Sequence, residues 1–523
     1  MTRIRLVIGA GLIAAIAACA VLLVGGAGAS HGGPGFKTAK QPFLVGTAPG
    51  VVVDKIMSTG DVFGSYQMSG IPDGLGAYNS RDGDDDDDDD DGRGEFVVVM
   101  NHELGRSFPN NPPGVDTRIS RLEIDARTRS VHAAEYLFTG HERFERFCSS
   151  TLAIIFGRPF YFTGEEAVVD PAQPPTPEHD GSSIVLDPDT GMWRETAHFG
   201  HLQHENVVPL RLSKWVFLTS EDDFRAGQAS YLYAYIASDF NRALRGMEGS
   251  LYVWRADDWN AAVDPETGNA TSAKGESIPG HFVPIPQSAN TTAAALKTAA
   301  NGLNAFKFDR LEDIAVRPDV RGRTYIADTG KPSGPGATAR GRVYQFDFNR
   351  RDPTRATLKM ILNGDGPNPD DIFNPDNMDA SSRVLMIQED RESAFRAGTP
   401  ANSGGYGRVM EYRFSNGSLR SVARVNTPPG GPPPVPLNPE NCATPTPCLP
   451  GTWESSGIIN ASHVLGRDWW LLDVQAHNST APQPGPTLVP NSSTGENGQL
   501  LAVKVPGSSS GGGGGGGDDD DDD

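Results

Sequence analysis

The stretch RFCSSTLAIIFGRPFYFTGEE, residues 146–166, closes with GRPFYFTGEE, an aromatic-rich run that starts on turn residues and finishes on two glutamates. Such a run reads as a β-strand. The same grammar recurs in EFVVVMNHE (95–103), SKWVFLTSEDD (213–223), SYLYAYIAS (230–238), GSLYVWRA (249–256), GRTYIADTG (322–330), GRVYQFDF (341–348), RVLMIQED (383–390), GRVMEYRF (407–414) and DWWLLDVQAH (468–477). Helical periodicity is scarce, with NTTAAALKTAANGLNAF (290–306) the main example. An all-β domain with so many strands must hide its sheet edges, and a β-propeller does so by radial repetition. The runs recur without a crisp sequence period, so the expected six-bladed β-propeller rests on strand number and pattern. A double sandwich is the alternative.

Around these strands the chain divides by composition. Residues 1–30 carry Arg3 and Arg5, an apolar run to Val24 and a small-residue end, the pattern of a cleaved secretory signal. A retained anchor is the competing reading, and Ile16-Ala17-Ala18-Cys19 loosely matches a lipoprotein site. Residues 31–505 are expected to hold the propeller, interrupted by a disordered poly-Asp loop (82–92) and a Pro-rich excursion (426–448). Residues 506–523 form a Ser/Gly/Asp tail expected to be disordered.

The formal net charge is −21, and much of it sits in the runs Asp84–Asp91 and Asp518–Asp523. No basic patch dominates, so nucleic acid is excluded as a natural partner, while divalent cations suit such a chain. The mature protein is expected to be a secreted or periplasmic monomer without a stable membrane partner. Of the cysteines beyond the signal, Cys442 and Cys448 bound the short loop CATPTPC and can close a disulfide in an oxidising compartment. Cys148 is then left over: a free thiol, an intermolecular link, a metal ligand or a buried small hydrophobe.

Acidic and amide groups gather where strands end. Asn101, His102 and Glu103 close one run, Glu165 and Glu166 another, and GHLQHENVVPL brings His204, Glu205 and Asn206. FDRLEDIAVRP brings Arg310, Glu312 and Asp313; NPDNMDA brings Asp376 and Asn377; WESSGIINASH brings Glu454; and LLDVQAH brings Asp473 and His477. In a propeller, one end of each inner strand faces the centre, so these carboxylates would converge. Like charges held close repel unless cations neutralise them, and carboxylate and amide oxygens are what Ca²⁺ takes.

NHE, FCSSTL…TGEE, QHE, RLEDI and PDN, in this order over roughly residues 95–390, resemble the PhoX-type secreted alkaline phosphatases, with WESSG…DVQAH extending the likeness. The resemblance implies a propeller whose channel holds calcium and iron (Ca²⁺ and Fe³⁺), a cysteine thiolate bridging the irons, and a small phosphate ester as substrate. By it, Cys148 resembles the bridging thiolate and Glu205 an iron ligand. Glu103, Glu165, Glu166 and Glu312 resemble carboxylate ligands, and Arg310 the phosphate-binding arginine. The chain departs from the family at Ser149 and Ser150 beside the cysteine, at Gly164 where the family has Cys, and in RLEDI, which lacks the family's Pro and Gly. Two other readings compete: a calcium-dependent propeller hydrolase of lactonase or phosphotriesterase type, and a non-catalytic calcium-binding extracellular propeller. No nucleophile elbow surrounds the Ser–His pairs, and no Gly-rich loop opens a helix to cradle a nucleotide.

Overall fold

In the computed structural model, residues 35–80, 94–105, 116–170, 177–225, 227–258, 274–331, 338, 340–365, 370–390, 407–426, 453–476 and 497–509 are described. The expected signal, the poly-Asp loop, Cys442, Cys448, His477 and the Gly/Asp end of the tail lie outside them. The aromatic and β-branched runs become antiparallel strands joined by tight turns. One four-stranded sheet takes Pro72–Asn79, Glu95–His102, Arg118–Asp125 and Val131–Phe138 in sequence order. The next takes Phe147–Ile155, Arg158–Glu165, Ser183–Asp187 and Met192–Glu195.

A nine-stranded sheet follows. It runs from His204–Arg211 through Trp215–Glu221, Leu232–Ala237 and Ser250–Ala256 to Ser277–Pro284. It then continues backwards through Arg355–Asn363, Arg342–Phe348 and Arg323–Asp328 to Leu311–Val316. Pro375–Ala380, Val384–Glu389, Arg408–Arg413 and Leu419–Val425 form another sheet, and Trp453–Asn460, Trp469–Ala476 and Asn497–Lys504 the last. Both are completed by the start of the chain: Leu44–Gly46 pairs with Leu419–Val425, and Val52–Ser58 with Asn497–Lys504. Pairing the early strands with the latest ones covers sheet edges that would otherwise lie open.

The arrangement is all-β and propeller-like rather than a pair of sandwiches. The opening strand of each unit touches the next in cyclic order: Pro72–Asn79, Phe147–Ile155, His204–Arg211, Leu311–Val316, Pro375–Ala380, Trp453–Asn460 and back to Pro72–Asn79. Apolar clusters fill the spaces between neighbours. Tyr78, Val99 and Phe138 meet Phe147, Tyr161 and Leu186; Val208, Leu218 and Trp254 meet Ile314, Tyr344 and Phe346. Leu75, Val98 and Leu122 meet Ile56, Leu471 and Leu500. The opening strands enclose a cavity of about 310 Å³.

The helical expectation over 290–306 is met by Ala293–Gly302, capped by the Thr292 side chain on Ala295 N–H. The tail expectation needs correction at its start. Ser508 and Ser509 are buried, Asp468 accepts the N–H groups of Gly507 and Ser509, and Trp470 Nε1 donates to Ser508 Oγ at 2.8 Å. Those bonds order residues 506–509 against the last sheet. Among the described residues, no helix is long and apolar enough to cross a membrane.

Candidate metal centre

The site grows from a repeated irregularity in strand pairing. Pro72 pairs with His102 but Leu75 with Met100; His204 with Glu221 but Val207 with Thr219; Leu311 with Asp328 but Ile314 with Ile326. Pro375 pairs with Glu389 but Met378 with Ile387, and Phe147 with Glu165 but Ser150 with Thr163. Each of these five opening strands carries one extra residue just after its start, a β-bulge that breaks the alternation of faces and re-aims side chains. The residues so placed are Asp73, Cys148, Glu205, Glu312 and Asp376, each second in its strand. Glu454 is second in Trp453–Asn460, whose own register shift lies further along, between Ser456 and Ile458. A second set follows the partner strands: Glu103, Glu166, Asp222 and Asp390 each come directly after the strand's last residue.

Ligand atoms of these groups lie within 4.8 Å of one another in four overlapping clusters: Asp73, Glu103 and Cys148; Cys148, Glu166 and Glu205; Glu205, Glu312 and Asp376; Asp376, Asp390 and Glu454. Shared members join the clusters into one continuous line. Of the residues expected from sequence, Glu103, Cys148, Glu166, Glu205, Glu312, Asp376 and Glu454 are brought together here. Except for Cys148 and Asp376, which are half-buried, every member is buried.

Burying so many acids beside one another has an electrostatic cost that protons or cations must relieve. Burial, then repulsion from neighbouring carboxylates, drives the Glu205 and Asp376 pKa values well above the ordinary range. Asp73 is pushed up to about 8 by burial and by Glu103. Burial and then Glu103 raise the Cys148 thiol. Glu205 Oε2 is buried with no hydrogen-bond partner, while its Oε1 accepts from Ser149 N–H at 3.3 Å. An orphaned carboxylate oxygen in a set of oxygens and one sulfur fits a metal ion.

Two guanidinium groups reach into the line. Arg310 Nη2 lies 2.8 Å from Asp222 Oδ2 and 2.8 Å from Glu312 Oε1, with Nη1 3.6 Å from Asp390 Oδ2. Arg146 Nη2 lies 3.1 Å from Glu103 Oε1 and 2.8 Å from Glu166 Oε2. The Cys148 thiol donates to Glu166 Oε2 at 3.4 Å.

One expected ligand falls elsewhere. The Glu165 carboxylate accepts the N–H groups of Glu145 at 2.9 Å and Gly181 at 3.0 Å, away from the clusters. Successive strand residues face opposite ways, so Glu166 enters the site while Glu165 props the loop before the next strand. Asp328 and Glu389, the last residues of their own strands, do the same work, accepting from Arg310 N–H at 2.9 Å and Phe373 N–H at 3.0 Å. Asn377 stands beside the acids. Its amide donates to Asp73 Oδ1 at 3.2 Å, and its carbonyl accepts from Ser456 Oγ at 3.2 Å, so it braces the acids through hydrogen bonds.

Sequence reading passed over Asp73, Asp222, Asp390 and Arg146. Asp390 closes the run RVLMIQED as Glu166 closes its own, and Asp222 is the next-to-last residue of SKWVFLTSEDD, so their signal was present. Arg146 stands one residue before Phe147–Ile155, as Arg310 stands one residue before Leu311–Val316. Asp73 stands second in its strand, between Pro72 and Gly74, and has no such cue. The Gly164 departure has a steric reason: a Cβ there would come within 2.4 Å of His204 Cβ.

A propeller-like β fold with a line of buried acids and one thiol at its strand starts defines the class. The family model of alkaline phosphatase PhoX matches residues 186–422, and the likeness read from the short motifs points to the same family. Glu205, Arg310, Glu312 and Asp376 lie inside the match, and Cys148 and Glu166 before it. Among solved structures, Pseudomonas fluorescens PhoX in complex with vanadate, a transition state analogue, is similar with a TM-score of 0.56 at 14% identity, covering 91% of this chain and 99% of that one. The parainfluenza virus 5 hemagglutinin-neuraminidase ectodomain follows at a TM-score of 0.35 and 9% identity, covering 88% of this chain and 86% of that one. No curated protein matches.

Proposed function

We propose that this chain is a secreted, metal-dependent phosphatase of the PhoX type, hydrolysing small phosphate monoesters at a calcium and iron centre in the channel of a six-bladed propeller. The six blades follow if the nine-stranded sheet counts as two, joined through Ser277–Pro284 and Arg355–Asn363. The observation that carries the function is the continuous line of four ligand clusters on strand starts, with Arg310 forked over it.

Asp73, Glu103, Cys148, Glu166, Glu205, Glu312, Asp376, Asp390 and Glu454 are the residues that would hold the metals. Bound metals of this kind polarise phosphoryl oxygens and lower the pKa of a bound water. Arg310 offers a planar fork that matches two phosphoryl oxygens, and Asp328 fixes its backbone through the Arg310 N–H. Asn377 and Gln475 brace Asp73, with Gln475 Nε2 donating to Asp73 Oδ2 at 3.1 Å and to Glu103 Oε2 at 3.0 Å.

A soft sulfur in two of the four clusters favours this reading over a calcium-only hydrolase, because a thiolate suits iron better than calcium. Elemental analysis of purified protein together with phosphate release from several monoesters tests it. Iron with calcium and turnover are the expected results; absence of turnover in metal-replete protein would sink the proposal. Full activity in Cys148→Ser with calcium alone would transfer the reading to the lactonase or phosphotriesterase type.

A further inference from the structure

We propose that Arg146 is a second anion-binding arginine of this site, the counterpart of Arg310 across the line of acids. The proposal rests on the phosphatase reading and adds a residue to it.

Arg-Phe-Cys at 146–148 and Arg-Leu-Glu at 310–312 sit in the same register, with arginine one residue before an opening strand and the cluster member second within it. Both side chains are sheltered to the same degree, 17% exposed for Arg146 and 15% for Arg310. Each reaches acids that directly follow a partner strand: Glu103 and Glu166 for Arg146, Asp222 and Asp390 for Arg310.

Arg146 is held there at some cost. Its φ is +54°, a region that non-glycine residues rarely adopt. Two backbone bonds keep it so, Arg146 N–H to Leu104 O at 2.8 Å and Glu166 N–H to Arg146 O at 2.9 Å. Both bonds tie Arg146 to the segments that carry Glu103 and Glu166. A residue pinned in a strained conformation beside a cluster is being aimed.

What it is aimed at has an opening. Arg146, Arg225, Gln203 and Phe224, with the acids Glu145, Glu166 and Asp170, line a cavity of about 70 Å³. The Phe224 ring, 43% exposed, lies under the guanidinium carbon at 4.9 Å, a cation–π contact. Once cations neutralise Glu103 and Glu166, the guanidinium charge is left for an incoming anion. A dianionic phosphoryl group held by Arg310 would then meet a second cation in Arg146.

The test is titration of the metal-loaded protein with inorganic phosphate, by calorimetry, with the metal content of each sample measured. Arg146→Ala should weaken phosphate binding by about 10- to 100-fold, and Arg146→Lys by less, with metal content equal to the parent's. Arg146→Lys keeps the charge and serves if the alanine variant does not fold. Parent-like phosphate affinity in Arg146→Ala at unchanged metal content would overturn this inference alone. Loss of metal in step with affinity would also overturn it, making Arg146 a structural counterion. A parent protein that is metal-loaded and binds no phosphate would overturn the phosphatase reading and this inference together.

Discussion

The same opening strands are different objects at their two ends. At their starts stand Asp73, Cys148, Glu205, Glu312, Asp376 and Glu454, charged or chargeable and packed against one another. A few residues on, the walls of the cavity include Leu75, Leu152, Ile314, Met378 and Ile458, and the two acids among them, Asp313 and Asp379, accept backbone N–H groups. One end spends stability on holding like charges together, and the other recovers it by burying apolar surface. Bulges separate the two by breaking the face alternation between the first and fourth residues. A propeller-like fold thus keeps its chemistry at the strand starts without disturbing the packing below.

The largest test of this contrast is at the charged end. Glu205→Ala and Cys148→Ala should each abolish phosphate release, a loss of about 100-fold or more, with metal content falling in parallel. Retained metal and activity in both would dissolve the distinction between the two ends.

The next test is pH. Asp73 is held up to about 8 and Asp379 up to about 7, in both cases by burial first, whereas an unfolded aspartate titrates near the ordinary value of 3.8. The metal-free folded state therefore binds protons that the unfolded state has released. Its stability is greatest below the unfolded value and falls as pH rises through about 4 to 8, by about 1.4 kcal/mol per pH unit for each such group. Melting temperatures of chelator-treated protein should drop from pH 5 to pH 8. The metal-loaded protein should show the opposite slope, because acid displaces the cations.

At the apolar end, Ile314→Ala should cost about 2–5 kcal/mol in denaturant unfolding while leaving metal content at the parent level. Loss of metal there would mean the two ends are coupled. The smallest effect separates neighbours. Glu165→Ala, which strips two backbone N–H groups of their acceptor, should cost about 1–3 kcal/mol and keep the metal. Glu166→Ala should lose metal.

Most of the site was visible in strand-end acids because a strand that leaves the core on a carboxylate announces itself locally. Glu103 and Glu166 were read that way, and Asp390 and Asp222 obey the same rule, whereas Glu205, Glu312, Asp376 and Glu454, at strand starts, were read from their short acidic motifs. Which of two adjacent glutamates enters the site was not legible, since it depends on where the bulge falls. Asp73 was not legible either, because its neighbours Pro72 and Gly74 read as a turn. Gly74 is needed there for another reason: a Cβ would come within 2.5 Å of Cys148 O, a contact made by a strand far away in sequence.

The sequence by itself determined the all-β class, since strand propensity and turn residues act over a few residues. It also determined which residue types would carry charge at strand ends. The tertiary structure alone decided that these ends converge, that Glu165 turns away while Glu166 turns in, and that Arg146 and Arg310 take equivalent places. Those outcomes depend on the register between strands and the cyclic contact of sheets, which are non-local packing choices that no short stretch encodes.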